Sequence, residues 1–346
     1  MSKKIKLGWV GSGFVGQVAH LNSYTSLKDI EIVGLAELRP KLGQKICKKY
    51  SIKNYYRNHL DLIKNEKLDA VVAIVNRKHT AMVAEDILKR GISIFTEKPM
   101  AANFHQASKL LRLAKKNKCS YMIGNMRLHD SGVKLAKKYF DEFIKKKTLG
   151  KILYFRAYCH AGGDYCNVDG YTSTNEMRPN KYILPNAPNW IQKNKKKDFE
   201  KFLNYFSHDI SLINLFFNEE PTITNFQLGE NSGTVSINYN KFIGTFEFIY
   251  LHHQDTWKEG LEIYFEKGYL KLSLPPAFLK NQPSKIEIYD QKKSTLKQIP
   301  EIEWSWSFKN QARDFIKKIK KNKVDFSSAK DSLFDIKIIE KIWKKL

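Results

Sequence analysis

Cysteine is scarce in this 346-residue chain: Cys47, Cys119, Cys159 and Cys166 are the only four, and none forms a Cys-x-x-Cys pair. Structural zinc takes about four thiolate or imidazole ligands at short, regular spacings, so no metal site is expected. Four cysteines without a pattern fit free thiols in a reducing compartment better than a disulfide framework. Long apolar runs are also missing, and none approaches the ~20 residues that span a bilayer. The opening Met1-Ser2-Lys3-Lys4 leads directly into a strand pattern rather than into a signal-peptide core. A cytoplasmic protein with no membrane partner is the expectation.

Acidic residues are few beside basic ones: 35 Asp+Glu against 60 Lys+Arg, a net charge of +25. Such a charge attracts nucleic acid, anionic membranes and phosphorylated small molecules alike. The lysines are scattered, in stretches such as Lys145-Lys146-Lys147 and Lys195-Lys196-Lys197, and form no single tail. No recognition helix, zinc finger or aromatic RNA-binding motif accompanies them, so no nucleic-acid partner is expected. Lysine-rich solvated faces account for the charge, and steering of a phosphorylated substrate is compatible with them.

Hydrophobic residues make up 42% and aromatics 13% of the chain, enough for two ordinary cores. Ile5 to Val10 is a short apolar run followed at once by Gly11-Ser12-Gly13-Phe14-Val15-Gly16. A second run, Ile30 to Ala36, ends at Glu37, 21 residues beyond Gly16. This is a dinucleotide-binding fingerprint with its strand, helix and acid in place. Gly11 permits the tight turn, Gly13 lets the backbone approach a pyrophosphate, and Gly16 lets the helix pack close to the strand. The backbone of Phe14 and Val15 completes the turn, whose helix N-terminus favours phosphate. Glu37 would accept the adenosine ribose hydroxyls and favours NAD; Arg39, two residues on, leaves NADP possible.

Strands and helices keep alternating: Lys41 to Tyr50 reads as a helix, Asp69 to Val75 as a buried strand, Thr80 to Arg90 as a helix. Ile92 to Phe95 and Ser120 to Ile123 are further strands, with a helix over His105 to Asn117 between them. The rhythm predicts a doubly wound parallel sheet, with ligands at the carboxyl ends of its strands. The turn at Gly11 to Gly16, the segment Asn76 to His79, and Glu97-Lys98 all fall at such ends. From Ile152 onward the pattern changes to alternating strands joined by short polar turns, including a hairpin at Glu266-Lys267-Gly268, and predicts a mostly antiparallel sheet. Helical spacing returns over Ser305 to Lys321 and Ser332 to Leu346, with Phe334, Ile338, Ile342 and Leu346 on one face. The fold class is therefore α/β, with residues 1–124 a dinucleotide-binding domain and 125–346 a second, α+β domain.

The strand Ile92 to Phe95 ending in Thr96-Glu97-Lys98-Pro99, downstream of that glycine turn, resembles the Gfo/Idh/MocA oxidoreductase family. His79, Asn125-Met126-Arg127 and Leu149-Gly150-Lys151-Ile152 match further family positions. The resemblance implies NAD(P)-dependent hydride transfer to or from a sugar carbinol lying between the two domains, in a homodimer or homotetramer. It implies cofactor contacts from Asn76, His79, Glu97, Lys98 and Arg127. It also implies a helix carrying Asp-x-x-x-His; here His208 matches the histidine and Asn204 stands where the aspartate usually is. Lys98 and His208 are the expected catalytic pair, with Asn204 orienting the ring.

The stretch His160 to Trp190, rich in Gly, Pro, Tyr and Asn, is read as a substrate loop. Asp164, Tyr171, Arg178 and Trp190 are its candidate contacts, Arg178 being suited to hold a phosphate bidentately. A nucleotide-linked or phosphorylated sugar of surface-glycan synthesis is the expected substrate, with inositol or a free sugar as the alternative. A non-catalytic dinucleotide sensor on the same fold is the reading that Asn204 leaves open.

Overall fold

A computed structural model of the chain describes residues 4–162, 170–177, 187–252, 256–292 and 299–346. They form two compact, interleaved units. The first comprises Met1–Gly124, the described part of Val168–Asn204, and Gln311–Ile336; the second comprises Asn125–Asn167, Tyr205–Asn310 and Lys337–Leu346 as far as described.

The first unit is built on six parallel strands: β1 (Ile5–Val10), β2 (Ile30–Ala36), β3 (Asn54–Tyr56), β4 (Ala70–Ala73), β5 (Ser93–Glu97) and β6 (Tyr121–Gly124). Their spatial order, β3-β2-β1-β4-β5-β6, is that of the doubly wound dinucleotide-binding sheet. A strand covered on both faces must be apolar throughout, and β4 meets the requirement with all four residues buried. Trp9 of β1 is fully buried and meets Tyr24 edge-on at 5.4 Å, and Phe95 of β5 packs on Phe315. Each such ring contributes about 1.5–3 kcal/mol of transfer free energy.

The helices of this unit start where side chains can satisfy their first N–H groups. Asn76 caps α4 (Arg77–Lys89) by accepting from Lys78, and Asn103 caps α5 (Phe104–Lys116) by accepting from Gln106. The α4 helix thus begins three residues before the expected Thr80, because Asn76 supplies the cap. Gly16–Leu21 follows a π-helical register, with Gln17 and His20 buried, and runs into α1 (Asn22–Thr25). Helix α2 (Pro40–Tyr50) has a proline at its start and no cap from its own N-cap residue, Arg39.

The second unit contains a seven-stranded sheet in the order β13-β12-β11-β7-β10-β9-β8. Its strands are β7 (Ile152–Ala161), β8 (Thr222–Leu228), β9 (Ser232–Asn238), β10 (Ile243–Tyr250), β11 (Lys258–Phe265), β12 (Gly268–Leu274) and β13 (Lys285–Asp290). All its pairings are antiparallel except β10 with β7. The Glu266-Lys267 turn joins β11 to β12 as expected. Alternation sorts the faces: Phe155, Phe246 and Phe248 point inward, and Phe206 packs on the last two. On the other face the half-buried Tyr154, Tyr264, Tyr269 and Tyr289 stand in cross-strand register over four strands. Helix α6 (Ser131–Lys146) is capped by Asp130, which accepts from Gly132 and Val133. Two long helices pass from one unit's residues to the other's, α7 (Lys196–Phe217) and α9 (Ser327–Trp343). The α9 helix starts five residues before the expected Ser332. Its core stripe runs through Ile338, Ile339, Ile342 and Trp343, while Phe334 is only partly buried and Leu346 is exposed.

Candidate active site

The glycine turn has the geometry its residues require. Gly11 has a φ of +86°, and a side chain there would strike the Ile74 carbonyl. A Cβ on Gly13 would meet nothing within 4 Å, so the backbone presents an open cradle of the kind a pyrophosphate needs. Phe14 and Val15 are half-buried beside it. Glu37, 6% exposed, accepts from the Ser12 N–H at 2.9 Å and the Ser12 hydroxyl at 2.8 Å. Arg39 donates to the same carboxylate through Nε at 2.8 Å and Nη2 at 3.1 Å. Burial works to raise the Glu37 pKa, but Arg39 and Ser12 outweigh it and hold the carboxyl below its usual range. These residues fit an NAD-type dinucleotide. Filling the cradle is a direct check. Gly13→Val is expected to leave the fold intact and to weaken NADH binding roughly 10- to 100-fold in a fluorescence titration, a cost of ~1–3 kcal/mol.

At the carboxyl end of β5 the Glu97 side chain is fixed at both oxygens. His20 Nε2 lies 2.7 Å from Oε1, and the Lys98 N–H donates to Oε2 at 3.1 Å. Gly124 of the adjacent β6 makes the space, since a Cβ there would lie 2.9 Å from Glu97 Oε1. The Lys98 ammonium, half-buried, donates to the main-chain carbonyl of Asn204 on α7. Asn76 is exposed and caps α4 with its side chain. His79 is half-buried, and desolvation, aided by neighbouring Lys78, lowers its pKa.

In the second unit, His208 Nδ1 lies 2.9 Å from the Asn125 side-chain oxygen. The Asn125 amide nitrogen donates to Ser211, so the oxygen is the atom turned to His208. Nδ1 therefore carries the ring proton and the basic lone pair sits on Nε2. Asn125 is a partner of the ring beyond the Asn204 that i, i+4 spacing suggested. The Asn-x-Arg motif points to Arg127, and nothing in its spacing pairs Asn125 with a histidine 83 residues away. Arg127 is 2% exposed, and its guanidinium is occupied by Glu259, through Nε at 3.0 Å and through Nη2, and by the Pro275 carbonyl at 2.8 Å. Trp257 closes the cluster by donating to Glu259 at 2.7 Å. That arrangement buries the Arg127 cation against an acidic partner and a carbonyl.

Asp164 and Arg178 lie outside the described residues. Tyr171, expected to touch substrate, sets its ring edge-on to Phe14 at 5.1 Å, beside the glycine turn. Trp190 is 45% exposed. Burial pushes the thiols of Cys47 and Cys119 up to about 11 and raises that of Cys159, so none of these three is a ready nucleophile. Among the described residues no group of three or more His, Cys, Asp or Glu is arranged to hold a metal, and no helix is long and apolar enough to cross a membrane.

Comparison with known proteins bears on the fold and on the first unit. Inositol 2-dehydrogenase of Salmonella typhimurium is 27% identical over 139 residues, 40% of this chain and 41% of that protein. The chain thus matches about two fifths of the length of these relatives. Among solved structures, a levoglucosan dehydrogenase in complex with NADH and levoglucosan superposes with a TM-score of 0.77 at 16% identity, covering 99% of this chain and 97% of that one. KijD10, a 3-ketoreductase from Actinomadura kijaniata in complex with TDP-benzene and NADP, superposes with a TM-score of 0.74 at 15% identity, covering 98% and 96%. At these identities the structures speak for the fold. A family model described as an oxidoreductase family with an NAD-binding Rossmann fold matches residues 5–125. Those residues carry the glycine turn, Glu37 and Glu97-Lys98, so over this stretch the chain is similar to the Gfo/Idh/MocA oxidoreductase family.

Proposed function

We propose that this protein is an NAD(P)-dependent dehydrogenase or reductase acting on a secondary carbinol or ketone of a sugar. Residues 1–124 would bind the dinucleotide and residues 125–346 supply the substrate side. The observation that carries the reading is the Lys98 ammonium at the carboxyl end of β5, held on the Asn204 carbonyl in the unit that carries the glycine turn. NAD(P) held at the glycine turn by Gly13 and Glu37 would supply the hydride chemistry at the carbinol carbon. His208 Nε2 takes the hydroxyl proton during oxidation and returns it during reduction. Lys98 donates a hydrogen bond to the same oxygen and stabilises alkoxide charge as it develops. Glu97, held by His20, orients Lys98 and balances its charge.

Asn125 can orient His208 but cannot neutralise its positive form. Asn125→Asp is therefore expected to raise the histidine pKa and move the acid limb of the kcat/KM profile for oxidation upward by about 1 pH unit or more. A profile that does not move would separate Asn125 from the proton transfer.

Net charge favours a nucleotide-linked or phosphorylated sugar, with inositol or a free sugar as the alternative. The half-buried tyrosine row on β7, β11, β12 and β13 offers a face for a homodimer or homotetramer. The test is absorbance at 340 nm with NAD or NADP and a panel of cyclitols, free sugars and nucleotide sugars. Turnover of one class names the substrate. Dinucleotide binding with no turnover across the panel would overturn this substrate class.

A further inference from the structure

The segment 170–177 lies far along the chain from the glycine turn, yet it packs in the same unit as an extended strap with alternating contacts. Thr172 makes a two-way pair with Gln17: its N–H donates to Gln17 Oε1 at 2.8 Å, and Gln17 Nε2 donates to its carbonyl at 2.9 Å. Tyr171 rests on Phe14, and the Gly170 carbonyl accepts from Lys49 at 3.1 Å. Two residues beyond Thr174, Glu176 reaches the start of α2. Its oxygens accept from the N–H groups of Lys41 at 3.0 Å and Leu42 at 2.9 Å, and from the Thr174 hydroxyl at 2.9 Å.

These donors have a particular position. The turn between β2 and α2 begins with Glu37, the residue set to hold the adenosine ribose, and continues through Arg39 to the first N–H groups of α2. Pro40 has no N–H, so Lys41 and Leu42 are the first that an anion could use. A 2′-phosphate brings ~1.5 to 2 negative charges and needs such donors, Arg39 above all. Here each donor already has a carboxylate: Arg39 has Glu37, and the α2 amides have Glu176. Tyr55, whose hydroxyl donates to the Glu37 carbonyl, has its pKa raised by desolvation and then by Glu37 and Glu176, against the opposing pull of Arg57. The two acids therefore act on one locale.

We propose that Glu176 is a specificity-determining residue for the cofactor, a carboxylate delivered by the strap that occupies the α2 amides and turns away dinucleotides bearing a 2′-phosphate. The inference rests on the dinucleotide reading of this unit. It goes further than Glu37 alone, because the second acid comes from a segment 134 residues away from Leu42.

The test is calorimetric titration of the full chain with NADH and with NADPH at fixed ionic strength, for the wild type, Glu176→Gln and Glu176→Asp. Wild type is expected to bind NADH more tightly than NADPH. In Glu176→Gln, NADPH should bind about 10-fold tighter than to wild type, with NADH changed by less than about threefold, since removing a like charge relieves repulsion. Glu176→Asp, which keeps the charge, should retain the wild-type preference. Equal binding of both dinucleotides by the wild type would overturn the inference without recourse to any variant. So would an unchanged NADPH to NADH ratio in Glu176→Gln. If the wild type bound neither dinucleotide, the dinucleotide reading beneath the inference would fall instead.

Discussion

Replacing His208 with alanine is expected to lower kcat about 10²- to 10⁴-fold while leaving the NADH dissociation constant nearly unchanged. The ring is the one basic group that the Asn125–Ser211 network prepares, with its proton fixed on Nδ1 and its lone pair on Nε2. Lys98→Met should cost ~10²- to 10³-fold, the usual effect of removing one donor to a developing oxyanion. The two losses should not multiply in the double variant, because in the proposed mechanism both residues serve one oxygen. Steady-state rates at 340 nm and a fluorescence titration of NADH on the same preparations read both quantities. Full turnover in either single variant would remove that residue from the chemistry. Loss of NADH binding in His208→Ala would make the histidine a binding group instead.

Arg127→Met is expected to destabilise the protein by ~3–5 kcal/mol, since it strands the Glu259 carboxylate at 1% side-chain exposure. The attraction within such a pair is largely spent on removing two charges from water, so the loss reflects the stranded partner more than the pair. The double variant Arg127→Met, Glu259→Leu should therefore recover most of the stability. Urea unfolding of the three proteins, compared by midpoint and slope, gives the result directly. The folded fraction of Arg127→Met should still bind NADH as the wild type does. A selective loss of NADH affinity would restore the cofactor contact that the family resemblance implied for Arg127.

The legibility of the site follows from the range of each interaction. The glycine turn, the acid at the end of β2 and the start of α5 depend on neighbours within a few residues, and each can be read from spacing. The start of α4 shifted because the cap supplied by Asn76 lies one turn ahead of the periodic residues, and α9 begins five residues before the expected Ser332. The i, i+4 spacing of Asn204 and His208 places both on α7, but spacing sees only partners on the same helix, and Asn125 lies 83 residues away.

The sequence alone determined the doubly wound sheet, the open backbone at Gly13, the placement of Glu97-Lys98 at a strand end and the change to antiparallel pairing after Ile152. Periodicity and glycine stereochemistry are local, and they carry that information without a fold. Tertiary structure alone decided which groups meet. Asn125 reaches His208 across 83 residues, His20 reaches Glu97 across 77, Arg127 reaches Glu259 across 132, and Glu176 reaches Leu42 across 134. Buried charges and amides must find partners wherever the packed chain brings them, and no spacing rule spans such distances.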